Sequence, residues 1–346
     1  MRRPGLLIAV WLTVFATLER PAAAHGGGAV EATNYVTTLD RISPPLPGVR
    51  LRVIELGDRL ELRNDGPEVV VLGYRGEPFV RVGPDGAFEN RLSPTVQANR
   101  EDHHGPADAG PLDTAAAPEW RRLSSEPVAR WHDHRVHWAG PGDPPEVEAD
   151  PGVRRAVQPA WTVTIRRGEE MSIASGQLTW VPGPSPGPWF ALALGVVVAV
   201  AALGMLQRWG PPLAVAVGLL LGVDLLHTFA AAFASAGGLG DHLARVGMGS
   251  FYAIVGWVLA VIALRLLARG RVDGLYAGVF AGLSIGTFGG LIDISTLSRS
   301  VTIFALPELV ARLCVALAAG GGFGLAAACV LVIRRTPEAR RVTDEV

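Results

Sequence analysis

The stretch Pro182-Gly183-Pro184-Ser185-Pro186-Gly187-Pro188 divides the chain into two unlike halves. Four prolines in seven residues make a stiff spacer rather than a strand or helix. Before it, hydrophobic residues come in short alternating runs between turn residues. After Trp189 they come in long unbroken runs. The 49% hydrophobic content of the 346-residue chain is therefore concentrated in its second half. That predicts a β-rich domain followed by a helical membrane domain.

In the first half, Leu51 to Leu56 and Arg59 to Arg63 alternate, with Val69-Val70-Val71-Leu72 beyond the turn signal Asn64-Asp65-Gly66. Near the spacer, Trp161 to Ile165 and Met171 to Trp180 read as two more strands, joined by a turn at Arg167-Gly168-Glu169. Many short strands between Gly/Pro turns predict an all-β sandwich of the cupredoxin or immunoglobulin kind. Residues 101–118 and 140–158 are rich in Pro, Ala, Gly and Asp and read as long surface loops.

The second half offers five apolar segments, 189–206, 211–235, 246–268, 274–293 and 305–333, each read as a transmembrane helix. The amino terminus reads as a secretory signal. Arg2 and Arg3 precede an apolar run at 5–18, and Ala22-Ala23-Ala24 is an A-x-A cleavage site. The expected domains are a signal peptide at 1–24, an extracytoplasmic domain at 25–187, a five-helix bundle at 188–334 and a cytoplasmic tail at 335–346. The arginines agree with this orientation. Predicted inner segments carry Arg208, Arg265, Arg269, Arg271, Arg334, Arg335, Arg340 and Arg341, whereas predicted outer loops carry Arg245 and Arg299. The expected location is the plasma membrane, with the carboxyl end in the cytoplasm.

Net charge is −1, which gives no reason to expect a nucleic-acid partner. All 31 basic residues are arginine, a mark of genome composition rather than function. The two cysteines, Cys314 and Cys329, lie in the last apolar run, so neither a disulfide framework nor a Cys-rich zinc motif is available. A metal site must use His, carboxylate or backbone groups.

The run Arg130-Trp131-His132-Asp133-His134-Arg135-Val136-His137-Trp138 carries that chemistry. In a strand, His132 and His134 project to one face, and two imidazoles at that spacing reach one ion. His137 has the opposite parity unless a bulge or turn intervenes. Asp133, Asp102 and His137 are candidates for the second shell, holding an imidazole in its tautomer. His103-His104 is a weaker candidate in a loop. Signal cleavage after Ala24 would expose His25, whose α-amine and imidazole offer two more nitrogens. The plainer reading is a solvated strand face with no metal.

Arg130-Trp131-His132-x-His134 after a signal-cleaved His resembles the copper-binding soluble domain of the particulate methane monooxygenase B subunit. In that family a mature terminal His and a later His-x-His pair hold copper in a cupredoxin-like sandwich. His25 and His132 are 107 positions apart, a separation that agrees with that family. The resemblance implies copper as cofactor, with His25, His132 and His134 as its ligands. It covers this motif and the architecture of the first half. The membrane half departs from the family and no second cupredoxin-like domain follows, so the oxygenase activity is not carried over. More loosely, the arrangement is similar to a fusion of CopC and CopD copper-resistance proteins.

Inside the expected bundle, Asp224 and His227 share a helix face, Glu308 and Arg312 stand four apart, and Asp293 ends the fourth segment. Asp241 and His242 fall in an outer loop. Charged groups in a membrane are costly unless paired, so this polar set reads either as the pairs Asp224–His227 and Glu308–Arg312 that set helix register, or as a metal or proton path. Gly274, Gly278, Gly282, Gly286 and Gly290 form a four-residue repeat expected to let another helix backbone pack closely. Gly320-Gly321-Gly322 marks a kink or a second close contact.

Three functions follow, in order. The first is extracytoplasmic copper acquisition, transfer or tolerance, with the bilayer, the metal ion and an extracytoplasmic metallochaperone as partners. The second is a metal-free sandwich that binds an envelope component or another protein. The third is a copper oxidase or oxygenase component. No nucleophile triad, phosphate loop or zinc-protease helix appears, so enzyme action ranks last.

Overall fold

The computed structural model describes residues 32–101, 116–138, 140, 142–249 and 251–336. The predicted signal at 1–24, His25, Asp102 and the His103-His104 pair lie outside the described residues. The chain separates into two compact units, one over Thr33–Gly183 and the other taking up the chain from Pro184.

Among the described residues the first unit has ten strands. They are β1 (Tyr35–Ser43), β2 (Val49–Ile54), β3 (Arg59–Asn64), β4 (Val69–Leu72), β5 (Pro78–Gly83), β6 (Gly86–Asn90), β7 (Trp120–Ser124), β8 (Val128–His132), β9 (Arg155–Arg167) and β10 (Glu170–Trp180). Seven form one antiparallel sheet in the order β1-β10-β9-β4-β5-β6-β7, and β2-β3-β8 form a second. Two short helices, α1 (Pro94–Glu101) and α2 (Pro145–Ala149), interrupt the strands. The alternating runs became strands because their apolar sets meet in register: Leu51 pairs with Leu62, and Val53 with Leu60. The Asn64 turn is an Asx turn, Oδ1 accepting from Gly66 N–H at 3.0 Å. Gly168, at φ 58°, makes the tight turn between β9 and β10.

One core draws on both sheets. Leu60, Leu62, Ala129 and Trp131 come from the smaller, and Val71, Val80, Trp161, Val163 and Ile165 from the larger. Trp161 is 1% exposed. Its indole lies beside Gly176, where a Cβ would fall 1.8 Å from the Thr38 carbonyl oxygen. The expected loop at 140–158 is corrected. It holds α2 and the first residues of β9, because Val147 is fully buried and Arg155–Ala156 pair with β10.

The second unit holds α3 (Gly187–Leu203), α4 (Gly210–Ala234), α5 (Leu239–Gly249), α6 (Phe251–Leu267), α7 (Asp273–Ser284) and α8 (Glu308–Arg335). A π-helical stretch, Ile285–Leu291, continues α7. Among the described residues, three helices are long and apolar enough to cross a membrane: Gly210–Ala234, Asp273–Leu291 and Glu308–Arg335. Counting the bent pair α5 and α6 as one span makes four. Five was the expectation, and two segments fall short of it. The 17 residues of α3 rise about 25 Å against a hydrocarbon core of roughly 30 Å. The segment expected as one helix at 246–268 is two helices that meet at 74°. Asp241 and His242, expected in a loop, belong to α5.

Apolar side chains cover the outside of this unit, among them Leu194, Val198, Val215, Leu219 and Val258, all more than half exposed. Such a surface is unfavourable in water and natural in lipid. Together with the three long apolar helices, it suggests a membrane protein.

Glycine organises the interior. A Cβ on Gly282 would lie 2.5 Å from the Gly322 carbonyl oxygen, and one on Gly290 2.4 Å from Ala319 N. Of the expected glycine ridge, Gly282, Gly286 and Gly290 lie against the backbone of α8, Gly278 against the Cys329 side chain, and Gly274 against Leu266 and Leu267 of α6. The triple glycine is a contact and not a kink. Gly320 approaches Ala193 of α3, Gly321 approaches Leu220 of α4, and Gly322 approaches Gly286 in the π-helical stretch. Successive residues on a helix point about 100° apart, so a run of three opens α8 to three neighbours at once.

Candidate metal centre in the β-rich unit

Strand β8 ends at His132, and the backbone then turns. Val136 N–H donates to the Asp133 carbonyl at 3.1 Å, closing a tight turn over residues 133–136. The turn is held from inside by Asp133, which is fully buried. Its carboxylate accepts from Trp131 Nε1 at 2.8 Å, from Arg135 N at 3.1 Å, and from Arg135 Nε and NH2 at 2.8 and 2.7 Å. Thr37 Oγ1 donates to the Val136 carbonyl at 2.6 Å, tying the turn to β1.

This turn cancels the parity argument. His137 comes round to stand with His132 and His134 instead of on the opposite face. Each of the three imidazoles can offer one nitrogen, and those nitrogens lie within 4.8 Å of one another. Ring centroids are 4.8 Å apart for His132 and His134, 4.5 Å for His132 and His137, and 5.2 Å for His134 and His137. All three side chains are half-buried. His137 therefore joins the candidate ligand set, and the Asp133 carboxylate serves the turn while its backbone supports the His137 ring.

The group that does meet an imidazole is Asp58, which sequence reasoning missed. Its Oδ1 lies 3.0 Å from His132 Nδ1. Asp58 and His132 are 74 positions apart in sequence but adjacent in space, because Arg59 pairs with His132 across β3 and β8. The segment before it is unusual. Glu55, Leu56 and Gly57 have φ of 51°, 56° and 101°, three successive residues in the left-handed region. For Glu55 and Leu56 this conformation costs free energy, and such strain gathers where a side chain must be aimed. Burial pushes the Asp58 carboxyl up. The hydrogen bond to His132 and the charges of His132, His137 and Arg59 outweigh it and hold the group below the usual carboxylate range. Burial and the neighbouring His132 hold His137 below the usual imidazole range.

A closed circuit of hydrogen bonds fixes the backbone of the site. His134 N–H donates to Tyr74 Oη at 2.9 Å, Tyr74 Oη donates to Asn99 Oδ1, and Asn99 Nδ2 donates to the His132 carbonyl at 2.7 Å. Arg135 stacks over the Tyr74 ring, its guanidinium 5.1 Å from the centroid. Neither Tyr74 nor Asn99 carries a local sequence signal for this role.

The donor set fits a transition-metal ion. Nitrogens bound to one ion at roughly 2.0–2.1 Å stand about 3–4 Å apart, so small imidazole rotations would close the cluster. Three imidazoles without thiolate suit copper, zinc or nickel. Asp58 on the far nitrogen of His132 is the usual arrangement that fixes a ligand's tautomer.

The polar groups of the helical unit are paired differently from expectation. His227 Nε2 meets Asp293 Oδ2 at 2.8 Å, while Trp257 Nε1 donates to Asp224 Oδ2 at 2.6 Å. The expected Asp224–His227 pair is thus replaced by two pairs that reach to other helices. Arg312 NH2 donates to Glu308 Oε2 at 2.8 Å, as their spacing predicts, and also to the Arg299 carbonyl at 2.7 Å.

The fold and site define a two-unit protein: a β-rich unit with a three-histidine cluster at a strand end, followed by a glycine-packed apolar helical unit. No family model matches the chain. No curated protein and no solved structure matches it either.

Proposed function

We propose that this chain is a multi-pass plasma-membrane protein whose β-sandwich lies outside the cytoplasm and binds one copper ion in copper acquisition, transfer or tolerance. The observation that carries the reading is the convergence of His132, His134 and His137, with Asp58 on His132. The shared core of the two sheets supports the sandwich. Copper stands above zinc in intrinsic affinity for nitrogen ligands. Three histidines leave coordination positions open, and His25, freed by cleavage after Ala24, would supply its amine and ring nitrogens to them. An extracytoplasmic metallochaperone would deliver or receive the ion there.

The test is copper titration of the metal-free full-length protein purified from membranes. One Cu(II) per chain is expected, with zinc binding more weakly. Asp58→Ala should weaken binding by roughly 10- to 100-fold, as expected for loss of a second-shell partner. Binding that survives replacement of all three histidines would overturn the proposal. A reporter active only in the cytoplasm, fused after Val346, should be active. Silence there would reverse the orientation.

A further inference from the structure

Asp224 lies on α4, ~21 Å along the helix from its first residue and about 15 Å before its last, so it stands in the interior of the longest stretch of that span. It is fully buried. One oxygen, Oδ2, accepts the indole N–H of Trp257 from α6. The other, Oδ1, is buried and meets no hydrogen-bond partner among the described residues. The residue against Oδ1 is Gly289 of the π-helical stretch, where a Cβ would stand 1.8 Å away. Glycine and the widened turn around it leave space for this oxygen, and π-helical turns gather at functional sites.

The groups around Asp224 come from α4 itself, α6, α8 and the π-helical stretch with the turn after it. His227 stands one turn on along α4 but gives its Nε2 to Asp293, which follows the π-helical stretch. Trp257 approaches from α6, and Cys314 of α8 lies within reach of its charge. The His227 imidazole can carry positive charge but is turned to Asp293, and Oδ1 itself meets no donor among the described residues. An ionised carboxylate with one hydrogen bond and an unmet oxygen is strongly disfavoured in an apolar interior. A protonated carboxyl is neutral and keeps the Trp257 bond. A metal or sodium ion would need several oxygen ligands, and the indole N–H is a donor that repels a cation.

We propose that Asp224 is a proton-binding site within the helical unit, a carboxyl that its apolar surroundings hold in the neutral form and whose proton is exchangeable. The site is independent of the histidine cluster. It gives the helical unit a role of its own, since an ionisable group inside a membrane span marks a proton or ion path more often than a structural accident.

Infrared spectroscopy of the full-length protein in lipid tests this directly. At pH 7 the spectrum should contain the carbonyl band of a protonated carboxyl, shifted on transfer to D2O. Asp224→Asn should remove one such carboxyl per chain. Trp257→Phe should keep the band but move it to higher frequency, because the carboxyl loses its hydrogen bond. No protonated carboxyl at pH 7, or a band untouched by Asp224→Asn, overturns the proposal. So does replacement of the band by carboxylate absorption on adding sodium, which would make this a cation site. Where Asp224→Asn fails to accumulate as folded protein, Trp257→Phe decides: an unmoved band overturns the proposal.

Discussion

The two units solve the same problem, burying polar groups, by opposite means. In the β-rich unit the buried carboxylates of Glu61, Glu77 and Asp133 are surrounded by partners. Asp133 accepts four hydrogen bonds, and Glu77 accepts from Ser93 Oγ and Thr95 Oγ1 at 2.7 Å each. In the helical unit side chains are removed instead. Glycines let backbones touch, and Asp224 is left with one partner. Taking a charged side chain out of water costs free energy unless hydrogen bonds replace those it loses, which the partners of Asp133 and Glu77 do. Between apolar helices, association rests on close backbone packing and a few interhelical hydrogen bonds.

The largest effect that would sharpen this contrast is expected at Trp161. Trp161→Ala should cost about 3–5 kcal/mol, the range for removing a fully buried aromatic side chain. Thermal unfolding followed by near-ultraviolet circular dichroism would show the β-rich unit melting early with the helical signal retained. Simultaneous loss of both would break the comparison, because the units would then be one cooperative body.

The metal centre comes next. His137→Ala should weaken Cu(II) binding as much as His134→Ala, by more than the roughly 100-fold upper range of a second-shell loss. Isothermal titration distinguishes this from a regular strand, in which His137→Ala would have little effect.

The glycine contact is tested by Gly290→Val. The added side chain meets the α8 backbone, and overpacking of this kind costs about 1–3 kcal/mol. Detergent-resistance or thermal-shift measurements should show a less stable helical unit with unaltered copper binding.

The smallest effect concerns acid. Burial pushes Glu77 up, but its hydrogen bonds to Ser93 and Thr95 and to the backbone hold it below its ordinary value of 4.5. A carboxylate depressed on folding stabilises the protein above its unfolded value and loses that contribution as pH falls through its folded value. Stability of the β-rich unit should therefore decline below pH 4.5, and Glu77→Gln should flatten that decline. An unchanged slope would show that other carboxylates govern acid unfolding.

Much of the organisation was legible along the chain because it rests on local pattern. Alternation located β2, β3, β4, β9 and β10, and the four-residue glycine repeat located the packing face of α7. Residues 130–138 announced a histidine-rich site because all three imidazoles are close in sequence. Two apolar segments misled, since hydrophobicity alone does not report a helix that is too short or one that bends.

What the sequence determined by itself was therefore local: about half of the strands, the apolar helical segments, and where the division between units falls at the Pro/Gly spacer. Periodicity is set by backbone geometry and survives without knowledge of neighbours. Tertiary structure alone decided who meets whom. His137 joins its partners because a turn held by buried Asp133 and Arg135 interrupts the strand. Asp58 reaches His132 through cross-strand pairing and a run of left-handed residues, and Asp224 is matched to Trp257 rather than to His227 on its own helix. Those pairings depend on contacts between residues distant in sequence, and no local pattern encodes them.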